Sequence, residues 1–343
     1  MTPVLDAERV ARLAGGWAAP GPTADRPELV RLVTDLRRAA EQALPLARRA
    51  GRFGDVLGGG VTPATILVVD RPGWARVAAD SFASILAPGP GAAGVTETAG
   101  WATTAELAGL LAMLSSRVLG QFDPYGSTEA GGRLALVAPN ILQVGTAMGA
   151  DPADFRLWIC VHEQTHALQF SAAPWLAGHV RAEAAALQAD VDGTGELAAV
   201  LAALRSRPAR GAAAGADDGL GPLGAVLGPE QRARASRLVA TMSLLEGHAD
   251  VAMDDLPPGV VPSRRRLRAR MTARRAAGRG RLLRRLLGLD AKLDQYRRGA
   301  AFVRAVRRSG RDALDPVWSG PHALPTLAEI DAPLEWVERM RSA

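Results

Sequence analysis

The sequence predicts a mainly helical α+β protein, with many helices and a small β-sheet among them. Two observations carry this. Alanine-rich stretches with apolar residues at helical spacing dominate the 343 residues. Against them stand only two short runs of strand character, Thr65–Val69 (TILVV) and Arg133–Val137 (RLALV), each closed by a proline two or three residues on. The composition, 48% hydrophobic and 22% charged, is an ordinary globular balance. The length allows a large core, read as a single domain over residues 1–343, in which 1–60 form a helical N-terminal part.

The elements follow in order. Residues 5–14 read as a short amphipathic helix. A longer one runs from Pro27 to Ala50, with Leu29, Leu32, Val33, Leu36 and Ala40 on one face. Arg52 to Val61 is a loop, then Thr65–Val69 the clearest strand. Pro72 opens a helix over Trp74–Leu86, which the Pro/Gly run from Pro88 ends. Thr103–Leu119 is a further helix, Asp123–Gly126 a turn, and Arg133–Val137 the second strand. A short helix spans Asn140–Met148. Asp151-Pro152-Ala153-Asp154 is a strong helix start, with an acid at the N-cap, proline at the first helical position and a second acid in the first turn. One more helix starts at Pro174. Residues 207–229 are rich in Gly, Ala and Pro without period and read as a flexible insertion. Helices then cover Pro229–Met253, Ser263–Leu287, Ala291–Arg308 and the segment after Pro333. No internal repeat is present.

The chemistry lies in the helix that Asp151 starts. Phe155 to Phe170 reads FRLWICVHEQTHALQF and contains His162-Glu163-Gln164-Thr165-His166. Residues four apart share a helix face about one turn from each other, so both imidazoles can reach one Zn²⁺. Glu163 then stands near the open coordination position, where it can take a proton from a bound water. A His pair and a Glu held among such apolar flanks without a metal would be costly.

A catalytic zinc usually takes a third protein ligand. His179 lies beyond the Pro174 break, and the short metzincin spacing fails because Gln169 and Ala172 stand where it needs Gly and His. His322 has no supporting pattern, and His248 has the right neighbourhood. Glu246 is the strongest choice. It follows the apolar run Val239–Leu245, so its carboxylate needs a partner, and Asp250 stands one turn on, on the same face. A solvated or ion-paired Glu and Asp beside Gly247 is the plain alternative.

HEQTHALQF, followed by PWL at Pro174–Leu176 and SLLEGHADVAMD at Ser243–Asp254, resembles a family of bacterial, actinobacterial-type zincin-like metallopeptidases, some of them associated with biosynthesis of a deazaflavin coenzyme. VLGQFDPYG from Val118, LALVAPNI from Leu134, DPADFRLWICVHE from Asp151, LLGLDAKLDQY from Leu286 and LPTLAEI from Leu324 extend the likeness over most of the chain after residue 66. The resemblance implies a zincin-like domain around a central HExxH helix, with His162 and His166 as ligands and Glu163 as general base. The Glu246 and Asp250 pair is similar to the second motif of gluzincins. It departs in lying 80 residues past His166, a gap to which the insertion at 207–229 contributes.

The expected function is a zinc-dependent hydrolase, most simply a peptidase acting on a peptide or protein substrate. Tyr296 and His248 are the candidate donors to a developing oxyanion. A strand beside the metal helix should run antiparallel to the substrate, supplied by Leu134–Val137 or by Ile66–Val69.

Two other readings compete. One keeps the zincin fold as a catalytically silent binding or scaffold protein; retention of Glu163 weighs against it, because a structural site needs no base. The other is nucleic-acid binding through Arg264–Arg285, which holds eleven Arg. Leu267, Met271, Leu282, Leu283, Leu286 and Leu287 give that segment an apolar side, no aromatic residue is interleaved, and a solvated helix face fits it better. The net charge of +6 comes almost wholly from Arg, with Lys292 the single lysine. One cysteine, Cys160, leaves no internal disulfide and suits a reducing compartment, expected to be the cytoplasm. Neither a secretory leader nor a membrane span is expected.

Overall fold

Four aspartates start helices in the first half of the chain. Asp6, Asp25 and Asp70 each accept a backbone N–H three residues on, at 2.9, 2.7 and 2.7 Å, and Asp151 accepts from Ala153 and Asp154 at 3.0 and 2.9 Å. Each side chain thus satisfies a backbone donor that the first helical turn leaves without a partner. Pro27, Pro72 and Pro152 stand just inside three of these starts, where the missing N–H costs nothing.

The computed structural model describes residues 5–54, 56–58, 60–87, 101–126, 131–189, 227–277 and 289–342. In chain order the elements are α1 (Ala7–Trp17), α2 (Arg26–Ala50), β1 (Thr65–Val69), α3 (Arg71–Leu86), α4 (Trp101–Ser115), β2 (Gly120–Asp123), β3 (Arg133–Val137), α5 (Ala138–Ala147) and α6 (Pro152–Ala172). Then come α7 (Trp175–Ala189), α8 (Pro229–Asp254), α9 (Arg264–Ala277) and α10 (Leu289–Ser309). Single turns of 3-10 helix at Asp315–Trp318 and Pro321–Ala323 precede α11 (Leu327–Asp331) and α12 (Pro333–Ser342). The protein is therefore mainly helical with a small sheet. Most of the insertion read at 207–229 and the C-terminal part of the basic run to Arg285 lie outside the described residues.

The chain divides into two compact units, Met1–Ala172 with Ala252–Thr272, and Ala173–Val251 with Ala273–Ala343. In the first, the sheet has the order β1-β3-β2. β1 runs parallel to β3 from Thr65↔Arg133 to Val69↔Val137, and β2 runs antiparallel from Gly120↔Leu136 to Asp123↔Arg133. Leu134 to Val137 are fully buried, so the centre of the sheet is also the centre of this unit's core. The register of β2 is pinned at its end by charge. Asp123, 1% exposed, accepts from Arg133 at 2.6 Å and from the Tyr125 and Gly126 backbone at 3.0 and 3.3 Å.

Two departures from the sequence reading stand out. The helix expected to reach Leu119 stops at Ser115, and five residues later the chain enters β2. Asn140 explains the stop: its side-chain amide donates to the Ser115 and Val118 carbonyls at 2.7 and 2.6 Å, groups that a continuing helix would have used itself. Its other side-chain atom accepts from Arg71, a buried guanidinium that also reaches Gln143 at 2.7 Å and the Ala19 and Pro20 carbonyls. The second departure is that β3 is the central strand, so its backbone groups are already spent on β1 and β2.

Part of the arginine run is structural. On α9, Leu267 and Met271 are buried. Arg268 pairs with Asp254 at 2.9 Å and lies over the Trp158 ring, and Arg270 donates to the Met148 and Gly149 carbonyls past the end of α5.

In the second unit α8 and α10 cross with backbones in near contact. A Cβ on Gly247 would stand 2.2 Å from the Gly299 carbonyl carbon, and one on Gly299 would stand 1.9 Å from the Ser243 oxygen. Phe302 of α10 packs edge-on to Trp336 of α12, whose indole donates to the Ala323 carbonyl at 2.9 Å. Among the described residues, no helix is long and apolar enough to cross a membrane.

Candidate metal centre

α6 carries the core of the site, and the residues between its two histidines hold it in place. Gln164 is buried and donates to the Ala40 carbonyl of α2 at 2.9 Å. Thr165, fully buried, donates to the Val161 carbonyl at 2.7 Å. Six residues before His162, Arg156 bridges to Asp35 of α2 at 2.6 Å. The helix is thus fixed along its α2 side, and the opposite stripe is left to His162 and His166, both half-buried.

The imidazoles meet edge to face with centroids 4.7 Å apart, and their Nε2 atoms are 3.2 Å apart. That spacing fits a shared ion, since two nitrogens each about 2.0–2.1 Å from one tetrahedral zinc stand only slightly farther apart. On the far side of His166, Nδ1 lies 2.8 Å from the Gln169 side-chain oxygen. With Nδ1–H donating there, the Nε2 lone pair is left for a metal. In the sequence Gln169 marks only the place where the metzincin spacing fails. Its place one turn past His166 on a buried face was the available signal.

Glu163 is 6% exposed. Its side chain lies against β2, so closely that a Cβ on Gly120 would stand 2.6–2.7 Å from Cγ, Cδ and Oε1 of the carboxylate arm. Two residues along the same face of β2, Phe122 packs on Phe170 of α6 with centroids 5.5 Å apart. The strand that accompanies the metal helix is therefore β2, which the sequence reading did not assign as a strand, rather than the central β3. Among the described residues β2 pairs on one side only. Cys160 is fully buried, and desolvation, helped by the neighbouring Glu163 charge, pushes its thiol far above the ordinary range. It packs as an inert small hydrophobe.

The other candidates lie in the second unit. Glu246 and Asp250 are both half-buried on α8, one turn apart, in a stretch whose remaining residues from Ser243 to Ala249 are buried. The residues between them face elsewhere: Gly247 meets Gly299, and His248, with no exposed surface, packs its ring on Trp318 at 5.4 Å. Tyr296 belongs to α10, and its side chain lies outside the described residues. His179 rests beside Trp175 at 5.9 Å, and His322 is exposed in the 3-10 turn Pro321–Ala323.

A mainly helical fold whose HExxH helix packs along an edge strand of a small sheet has the organisation of the zincin class of metal-dependent hydrolases. The chain belongs to the zincin-like metallopeptidase family, whose profile matches residues 5–337. It is also similar to a candidate hydrolase with a novel fold from Chloroflexus aurantiacus, known from a crystal structure. The two share 28% identity and a TM-score of 0.63, with 99% of each chain covered. No curated protein matches the sequence.

Proposed function

We propose that the protein is a zinc-dependent peptidase of the cytoplasm, in which His162, His166 and Glu246 hold Zn²⁺ and Glu163 is the general base. The observation that carries the reading is the Nε2 pair at 3.2 Å beside a buried Glu163 on the same helix. Two imidazoles and a carboxylate suit zinc and leave a position for water.

Bound zinc would lower the pKa of a coordinated water and polarise a scissile carbonyl. Glu163 takes the proton of that water and hands it to the leaving amine; its burial keeps bulk water from competing for the carboxylate. Gln169 holds His166 in the tautomer that ligates. Tyr296 is the candidate oxyanion donor. Among the described residues the outer edge of β2 is not paired with another strand, and its backbone N–H and C=O groups would suit an extended peptide.

The test compares wild type with Glu163→Gln on a broad peptide library, with zinc content measured in both. Turnover by wild type, lost by about 100-fold or more in the variant at equal zinc, is the expected result. Absence of turnover in both with zinc bound would overturn the peptidase and favour the binding-protein reading.

A further inference from the structure

Resting on the hydrolase reading, we propose that Gly120 is a positioning residue for Glu163: β2 is bare at this point so that the carboxylate arm of the base lies directly on the strand backbone. A side chain at 120 has no room. Its Cβ would stand 2.6 Å from Glu163 Cγ and 2.7 Å from both Cδ and Oε1, closer than any real Cβ contact. Three successive atoms of one side chain are involved, so turning the carboxylate tip does not relieve the clash.

Backbone conformation does not call for glycine at 120. Its backbone is not among those in the left-handed region, unlike Gly131 and Gly132 at φ 101° and 73°. In a strand, glycine forfeits side-chain packing and costs more chain entropy than alanine. The three atoms nearest to the space it leaves all belong to the Glu163 arm.

Neither element can easily step aside. β2 is tied to β3 by the buried Asp123–Arg133 pair at 2.6 Å and to α6 by Phe122 on Phe170. α6 is tied to α2 through Gln164 and Arg156. An added methyl therefore drives Glu163 into another rotamer while both histidines stay in place. A base displaced by about 1 Å costs on the order of 100-fold in rate.

The experiment is a double-mutant cycle of Gly120→Ala and Glu163→Ala on the full-length protein, read by thermal unfolding, with zinc content and peptide kinetics for Gly120→Ala alone. In wild type Gly120→Ala should lower Tm by about 3–6 °C. With Glu163→Ala the clash is gone, and the same change should leave Tm level or raise it. If the single variant does not fold, recovery of folding in the double variant supports the contact equally. Zinc content should stay at the wild-type level, and kcat should fall about 100-fold with KM nearly unchanged. Equal Tm losses in both backgrounds, or full kcat retained in Gly120→Ala, would overturn the inference. A wild type without turnover would sink the peptidase instead, and the Tm cycle would still decide whether Gly120 places Glu163.

Discussion

The Gln169 side-chain oxygen lies 2.8 Å from Nδ1 of His166, three residues back on the same helix. A neutral acceptor here fixes the imidazole tautomer, as the carboxylates and carbonyls behind zinc-ligating histidines do, without adding charge to a buried face. Replacing Gln169 with Leu removes the acceptor at similar size. Zinc affinity should then fall about 10- to 100-fold, as loss of such a partner does at other sites. Gln169→Glu, which keeps an acceptor and adds a charge, should hold or tighten binding. Competition titration against a chromophoric chelator reads both; an unchanged affinity in Gln169→Leu would reduce the contact to packing.

Zinc bound at the proposed site should also stabilise the fold, because a ligand that binds only the native chain shifts unfolding by mass action. At free zinc about 100-fold over Kd the linkage is worth roughly 2.7 kcal/mol, or a Tm shift of about 4 °C for a chain of 343 residues. Chelation should lower Tm by that amount and added zinc should restore it. In His162→Ala the chelator should change little, since one imidazole of the pair is gone. A variant that stayed as chelator-sensitive as wild type would place the stabilising metal elsewhere.

What could be read in advance divides along a physical line. The HExxH spacing, the aspartate and proline helix starts and the strands Thr65–Val69 and Arg133–Val137 are local signals, and each appears where the residues put it. β2 was not legible as a strand, because Gly120-Gln121-Phe122-Asp123 has no β-branched residue. Its strand state comes from pairing with β3, from Asp123 on Arg133 and from Phe122 on Phe170. The end of α4 at Ser115 was hidden for the same reason, since Asn140 intercepts its carbonyls from 25 residues downstream. That His162, Glu163 and His166 share one helix followed from their spacing. Gly120 and Gln169 act through contacts that appear only when side chains are placed.

The glycines of α8 and α10 should be among the least replaceable residues of the second unit. Gly247→Ala puts a methyl about 2.2 Å from backbone atoms of α10, where no side chain can rotate away. Separating the helices disturbs the packing on both sides of Glu246, and the cost should be about 1–3 kcal/mol or more. Gly109→Ala is the contrast: an exposed position in α4 with nothing within 4 Å of the added carbon, expected to gain about 0.5–1 kcal/mol. Denaturant unfolding of the two variants should give changes of opposite sign, and a harmless Gly247→Ala would deny the close crossing.

Acid should weaken the C-terminal helices through Glu329. Burial alone would raise its pKa, but the Arg339 guanidinium, at 2.6 and 3.0 Å, and the Thr326 cap outweigh burial and hold the carboxyl below its ordinary value of about 4.5. A carboxyl whose pKa is depressed in the folded chain lends stability that is fully present above its unfolded pKa. That stability is lost as pH falls through the folded one. Glu329→Gln should therefore be less stable than wild type at pH 6–7, and the gap should close as pH drops below about 4. Above pH 5 the difference should be flat. Unfolding of both proteins across this range reads the effect, and a gap that widened toward acid would reverse the sign of the assignment.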